Sequence, residues 1–163
     1  MANFQREGAI SNTHVGREFE DAVHEYFARK GLRMEFDFKV DCGVSHQKKL
    51  HAFDLGSHDP AVIVECKAQI WTSGGNVPSA KMKNWAEAMY YFHMAPREYR
   101  KMFVAVRSHR ARGNESLLAY FVRNQYHLIP DDVELWEFDM ARQTASLMQD
   151  RVSPATGNGR GVQ

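Results

Sequence analysis

The stretch Ala61-Val-Ile-Val-Glu-Cys-Lys-Ala-Gln-Ile70 constrains this chain more than any other. Its leading apolar, β-branched run is what a strand buried on both faces of a sheet requires, because such a strand has no solvent side to mark with polar residues. A sheet with a central strand of this kind must be covered above and below, and helices are the usual cover. The far end of the run carries Glu65 and Lys67. Side chains two apart on a strand share a face, so these two charges point the same way and Gln69 continues their row. Taken alone, the two residues read as an ion pair at a sheet edge. A carboxylate and an ammonium in that position are costly unless they pair or bind a metal.

The rest of the chain supplies the cover. From Val15 to Lys30, Phe19, Val23 and Tyr26 or Phe27 recur at helical spacing, with Thr13 placed to cap the start and Gly31 to end it. Residues 33–40 alternate, with Met34, Phe36, Phe38 and Val40 on the apolar side, and read as a half-buried strand. Residues 48–55 read as a second strand, followed by a turn over Gly56-Ser-His-Asp-Pro60. After a loop at 72–78, Ser79 opens a helix to about His93 with Met82, Trp85, Ala86, Met89 and Phe92 in one stripe. A strand at 101–106, a helix at 115–124 and a strand at 133–138 complete the pattern. The order predicts one α/β domain over residues 14–150, a mixed central sheet flanked by helices. Residues 1–13 are expected to be a loosely held arm and residues 151–163 a disordered tail.

Asp54 ends the strand segment before the buried run, eleven positions ahead of Glu65. If the two segments form a hairpin, Asp54 and Glu65 converge. Two hard oxygen ligands, completed by water and a substrate phosphate, suit Mg2+. A neighbouring Lys67 would orient or deprotonate the attacking water and offset charge in the transition state.

These residues, in this order, resemble the PD-(D/E)XK nuclease superfamily, whose restriction-endonuclease-like core runs α-β-β-β-α-β. Asp54 matches its meander aspartate, and Glu65 and Lys67 match its (Asp/Glu)-x-Lys signature. Gly16-Arg-Glu-Phe-Glu20 matches the Gly-x-x-Phe-Glu start of many members, which selects Glu20 over Glu18 as the helical acid, and Gln69 matches a Gln that follows the Lys in some branches. Phe53 stands where the family name expects Pro. The resemblance covers residues 15 to 106. It implies a metal-dependent nuclease that hydrolyses phosphodiester bonds, with a DNA endonuclease as the leading expectation. Asp54, Glu65 and Glu20 would hold Mg2+ or Mn2+, and Lys67 would polarise the nucleophile. Ca2+ is expected to bind without supporting cleavage. The alternative is an inactive scaffold of the same fold that binds nucleic acid or a protein partner.

Charge gives no global support for nucleic-acid binding: 21 Lys and Arg face 20 Asp and Glu, for a net charge of +1. Contacts to phosphate must therefore be local, and Lys48, Lys49, Lys81, Lys83, Arg107, Arg110 and Arg112 are the candidates. Trp71 is a candidate for stacking on a base and His58 for touching substrate, although an aromatic after a strand is more often core. The eight histidines and two cysteines show no zinc-ligand spacing. Cys42 and Cys66 are expected as free thiols. The N-terminus lacks an apolar core followed by a cleavage site, and no run is long enough to span a membrane, so a cytoplasmic location is expected. The small size suggests a homodimer, with two sites addressing two strands.

Overall fold

A computed structural model describes residues 4–149, with side chains from Thr13 onward. The elements are α1 (Phe4–Arg29), β1 (Glu35–Cys42), β2 (Lys49–His58), β3 (Ala61–Lys67), α2 (Ser79–Met94), β4 (Arg100–Val106), α3 (Leu117–Gln125), β5 (Val133–Asp139) and β6 (Thr144–Leu147). The six strands form one sheet in sequence order. β1, β2 and β3 are antiparallel neighbours, β3, β4 and β5 are parallel, and β6 returns antiparallel to β5. The parallel joins need crossovers, and α2 and α3 supply them.

The expectation for β3 holds: Ile63 faces one core while Val62 and Val64 face the other, all three fully or almost fully buried. On one face α1 lays Phe19, Val23 and Phe27 against Leu55, Met102, Val104 and Phe138. On the other, Trp85, Met89 and Phe92 of α2 and Leu117 and Phe121 of α3 cover Phe53, Phe103 and Leu135. The structure is an α/β fold with a mixed six-stranded sheet flanked by helices. No helix among the described residues is long and apolar enough to cross a membrane.

Several boundaries differ from expectation. α1 begins at Phe4, so the segment expected as a loose arm is helical up to Thr13, and Thr13 lies inside the helix instead of capping it. Gln5, Arg6, Glu7 and Ala9 are good helix formers, a propensity that the absence of apolar period concealed. The segment 151–163, expected to be disordered, lies outside the described residues. α2 starts without a side-chain cap, since the carbonyl of Pro78 takes the amides of Lys81 and Met82. β3 stops at Lys67, so Gln69 lies just past the strand, its side chain bonded to Trp85 of α2, the helix that Glu65 and Lys67 also face. β6, short and polar, gave no signal at all. Cys42 and Cys66 are free, buried, and in different cores.

The alternation expected for β1 breaks at one rung. Phe38 and Val40 face the α2 side, whereas Phe36 packs on the α1 side; on β2, Phe53 and Leu55 likewise belong to opposite cores. Asp37 and Asp54 occupy the rung between, and the backbone of Asp37 adopts φ 51°. Asp is among the few non-glycine residues that enter this region readily. Both strands therefore invert their faces at a pair of aspartates.

β2 also runs on through Gly56 to His58, where a tight Asp59-Pro60 turn leads into β3. Gly56 is buried in the strand because the ring of Phe38 lies where its Cβ would be. Gly56→Ala should cost about 1–3 kcal/mol through overpacking, read as a lowered denaturation midpoint at unchanged m-value. A variant as stable as wild type would show that Phe38 has room to move.

Candidate active site

The ladder between β2 and β3 ends at Leu55 and Val64. Beyond that pair β2 stays bonded to β1 while β3 continues beside β4, so the two strands part and leave a fork. Asp54 sits at the crotch. Its Oδ2 accepts the amide of Cys66 at 2.6 Å, standing in for the carbonyl that a continued ladder would have offered. Glu65 and Lys67 lie on the opposite prong, with Lys67 Nζ 2.5 Å from Glu65 Oε1 and both side chains largely buried. Glu20 reaches the fork from α1, flanked by Arg17 at 3.6 Å.

Electrostatics binds these groups into one cluster. Burial, then the nearby charge of Asp54, raises the Glu20 carboxyl to about 7, with Arg17 opposing. Burial, then Glu65, raises Asp54 to about 7 against the pull of the Cys66 amide and Lys67. Glu65 is also raised, by burial first, although Lys67 counteracts this. Three acids with too little water and too few cations are poised to take up a proton or a metal.

The structure thus brings Glu20, Asp54, Glu65 and Lys67 together. Gln69 lies just beyond, its Oε1 held by Trp85 Nε1 at 2.7 Å. Glu18 points elsewhere, toward His14 at 3.9 Å. Three residues that the sequence did not single out join the fork. Asp37 stands opposite Asp54 and raises both Asp54 and Glu20. Glu87 of α2 and His51 of β2 line a cavity of about 330 Å3 with Glu65 and Lys67. His51 stacks on Tyr91 with ring centres 3.5 Å apart, and burial lowers its imidazole. Asp37 was hidden because only its cross-strand position makes it a neighbour; Glu87 and His51 fit no spacing rule.

The phosphate candidates scatter. Arg110 is pinned over the Trp71 ring at 4.3 Å and donates to the Gly75 carbonyl, with exposed Arg112 beside it along the 73–75 loop. Lys81 faces the segment following β3, whereas Lys83 lines a different cavity between α2 and α3. Arg107 is 3.8 Å from Asp139. Lys48 and Lys49 are exposed at the β1–β2 turn, and Lys48 donates to the Gly43 carbonyl. Trp71 is buried in the core with its indole N–H on the Glu115 carbonyl, which removes it as a stacking surface. His58 is bonded to the Tyr99 hydroxyl at the turn into β3, four residues along β2 from Asp54, and does not join the cluster.

Among the described residues, no group of three His, Cys, Asp or Glu side chains forms a ready-made metal cage. The donor set is nonetheless the right chemistry for Mg2+, which is commonly held by one or two carboxylates with water and substrate phosphate completing its shell. No protein-family model, no curated protein and no solved structure matches this chain.

Proposed function

We propose that the chain is a metal-dependent nuclease of the restriction-endonuclease-like type, hydrolysing phosphodiester bonds, with DNA as the leading substrate. The observation that carries this reading is the convergence of Glu20, Asp54 and Glu65 with Lys67 at one fork, the acids raised by burial and mutual repulsion. Asp54 and Glu65 would hold Mg2+ or Mn2+, with Glu20 completing the set. The metal would supply Lewis acidity and a bound water of lowered pKa. Lys67, at the edge of the cluster, would orient that water and offset the negative charge that builds on the phosphate oxygens in the transition state.

The test is cleavage of supercoiled plasmid and of single-stranded DNA by the full chain with Mg2+, Mn2+ or EDTA. Nicking or linearisation that appears with either metal and vanishes in EDTA is expected; an inert protein on DNA, RNA and branched substrates in every metal would sink the proposal. A second reading, an inactive scaffold that binds nucleic acid or a partner protein, draws on one observation: Lys67 is already committed to Glu65 and Cys66 N–H to Asp54. It predicts that Mg2+ leaves the melting temperature unchanged.

A further inference from the structure

A cleft of about 620 Å3 opens on the α1 side of the sheet, at the end of β3 that carries Glu65 and Lys67. Ala68, Val106 and Met140 line it, each at or just past the C-terminal end of one of the parallel strands β3, β4 and β5. That edge is where open α/β sheets hold ligands. α1 contributes Val15 and Phe19, and the segment after β3 contributes Gln69 and Ile70. The lining adjoins the site in sequence, Phe19 preceding Glu20 and Ala68 following Lys67, with Ala68 turned to the α1 face and Lys67 to the α2 face of the same strand end.

Its chemistry narrows the occupant. The walls are mainly apolar, and Val15 and Ile70 are 50% and 58% exposed, which leaves branched aliphatic surface without a partner. Polar side chains line it as well, from Glu18, Gln69, Thr72, Ser73 and Lys81. Gln69, its Oε1 held by Trp85, offers an amide nitrogen as donor, Glu18 offers a carboxylate as acceptor, and Lys81 brings a positive charge. A flat apolar body with a hydrogen-bonding edge, tethered to a negatively charged phosphate, satisfies all of these. The volume lies in the range of small-molecule sites, roughly 300–1,000 Å3. A base paired inside a continuous duplex cannot enter such a cleft without leaving the stack.

We propose that this cleft is a subsite for one unpaired nucleobase beside the scissile phosphate, so that single-stranded or frayed nucleic acid is taken in preference to continuous duplex. The inference rests on the nuclease reading above and assigns its substrate class. Lys67 and Gln69 are about 7 Å apart along the chain, so a phosphate at the fork leaves its neighbouring base within reach of the cleft.

The test measures fluorescence anisotropy of the full chain with a labelled single strand and with the blunt duplex of the same sequence, in Ca2+. A second series moves one abasic nucleotide along the single strand. The expected results are single-strand binding about tenfold or more tighter than duplex, and loss of about tenfold at one abasic position. Ile70→Glu and Val15→Glu, at exposed positions that keep the fold, should erase the preference with an unchanged melting temperature. Equal or tighter duplex binding, indifference to every abasic position, or a folded Ile70→Glu that keeps the preference would each overturn the subsite. Hydrolysis of bis(p-nitrophenyl) phosphate by the wild type with Mn2+ reports the chemistry separately. Turnover without single-strand preference removes the subsite alone; preference without turnover removes the hydrolysis and leaves the subsite standing.

Discussion

Lys67→Ala should lower the rate of metal-dependent cleavage by roughly a hundred- to a thousandfold, the scale on which one well-placed charge near a reacting phosphate acts. Two losses combine. The ammonium that would steady the attacking water is gone, and Glu65, left buried without its partner 2.5 Å away, is driven further toward its protonated form. A protonated carboxyl is a poor metal ligand, so the metal concentration needed for half-maximal rate should rise together with the fall in the maximum. Glu65→Gln separates the two effects, since it leaves Lys67 in place and removes only the ligand charge. Single-turnover cleavage across a Mn2+ titration is the measurement, and a Lys67→Ala variant retaining more than about a tenth of the wild-type rate would remove Lys67 from the chemistry.

Asp54→Asn should abolish cleavage and, in metal-free protein at alkaline pH, raise stability by on the order of 2 kcal/mol. The sign follows from the carboxyls held at about 7 in the folded chain. Their ordinary values in an unfolded chain are about 3.9 for Asp and 4.3 for Glu. Between about pH 4 and pH 7 the folded state therefore keeps protons that the unfolded state has released, so stability falls as pH rises through that window and the full penalty stands above it. Asparagine carries no charge to repel Glu65, yet its carbonyl can still accept the Cys66 amide. His51, lowered by burial, works in the opposite sense as pH falls below about 6.5, but it is common to both proteins and cancels in the comparison. Melting temperatures at pH 5 and pH 8, with and without Mg2+, test this. The wild type should melt lower at pH 8 and recover with Mg2+, whereas the variant, with Glu20 and Glu65 still raised by burial, should lose less stability over that range and recover less of it with Mg2+. A wild-type curve flat in pH and blind to Mg2+ would mean that the acids neither repel one another nor bind a cation.

The parts of the site that were legible from sequence are those fixed by position along the chain. Glu65 and Lys67 share a face because strands alternate, and the buried run before them marks the strand as central. Asp54 was placed near them by assuming a hairpin, and the hairpin exists, although β2 runs three residues further before its turn than expected. What stayed hidden depends on positions across the sheet. Asp37 neighbours Asp54 only through pairing, Glu87 comes from a separate helix, α2, and the inversion of faces at the Asp37–Asp54 rung contradicts the simple period-two reading of Phe36 and Phe38. Trp71 looked available to a ligand because the chain gives no hint that Arg110 and Glu115 fold back over it.

The rung of paired aspartates has a consequence for descent. A slip of β1 or β2 by one residue would carry an aspartate into one oily layer and a phenylalanine out of the other, so the rung pins the strands in register whether or not any reaction occurs there. In a lineage that had abandoned catalysis, selection for folding alone would go on retaining an acid at Asp54, where it also caps the Cys66 amide. Lys67 has no such second duty: with Glu65 replaced by a neutral residue, nothing in the fold would keep it. If the proposed nuclease reading is right, the paired loss of Glu65 and Lys67 among descendants of this chain would mark an extinct enzyme, and survival of Asp54 would be no sign of a living one.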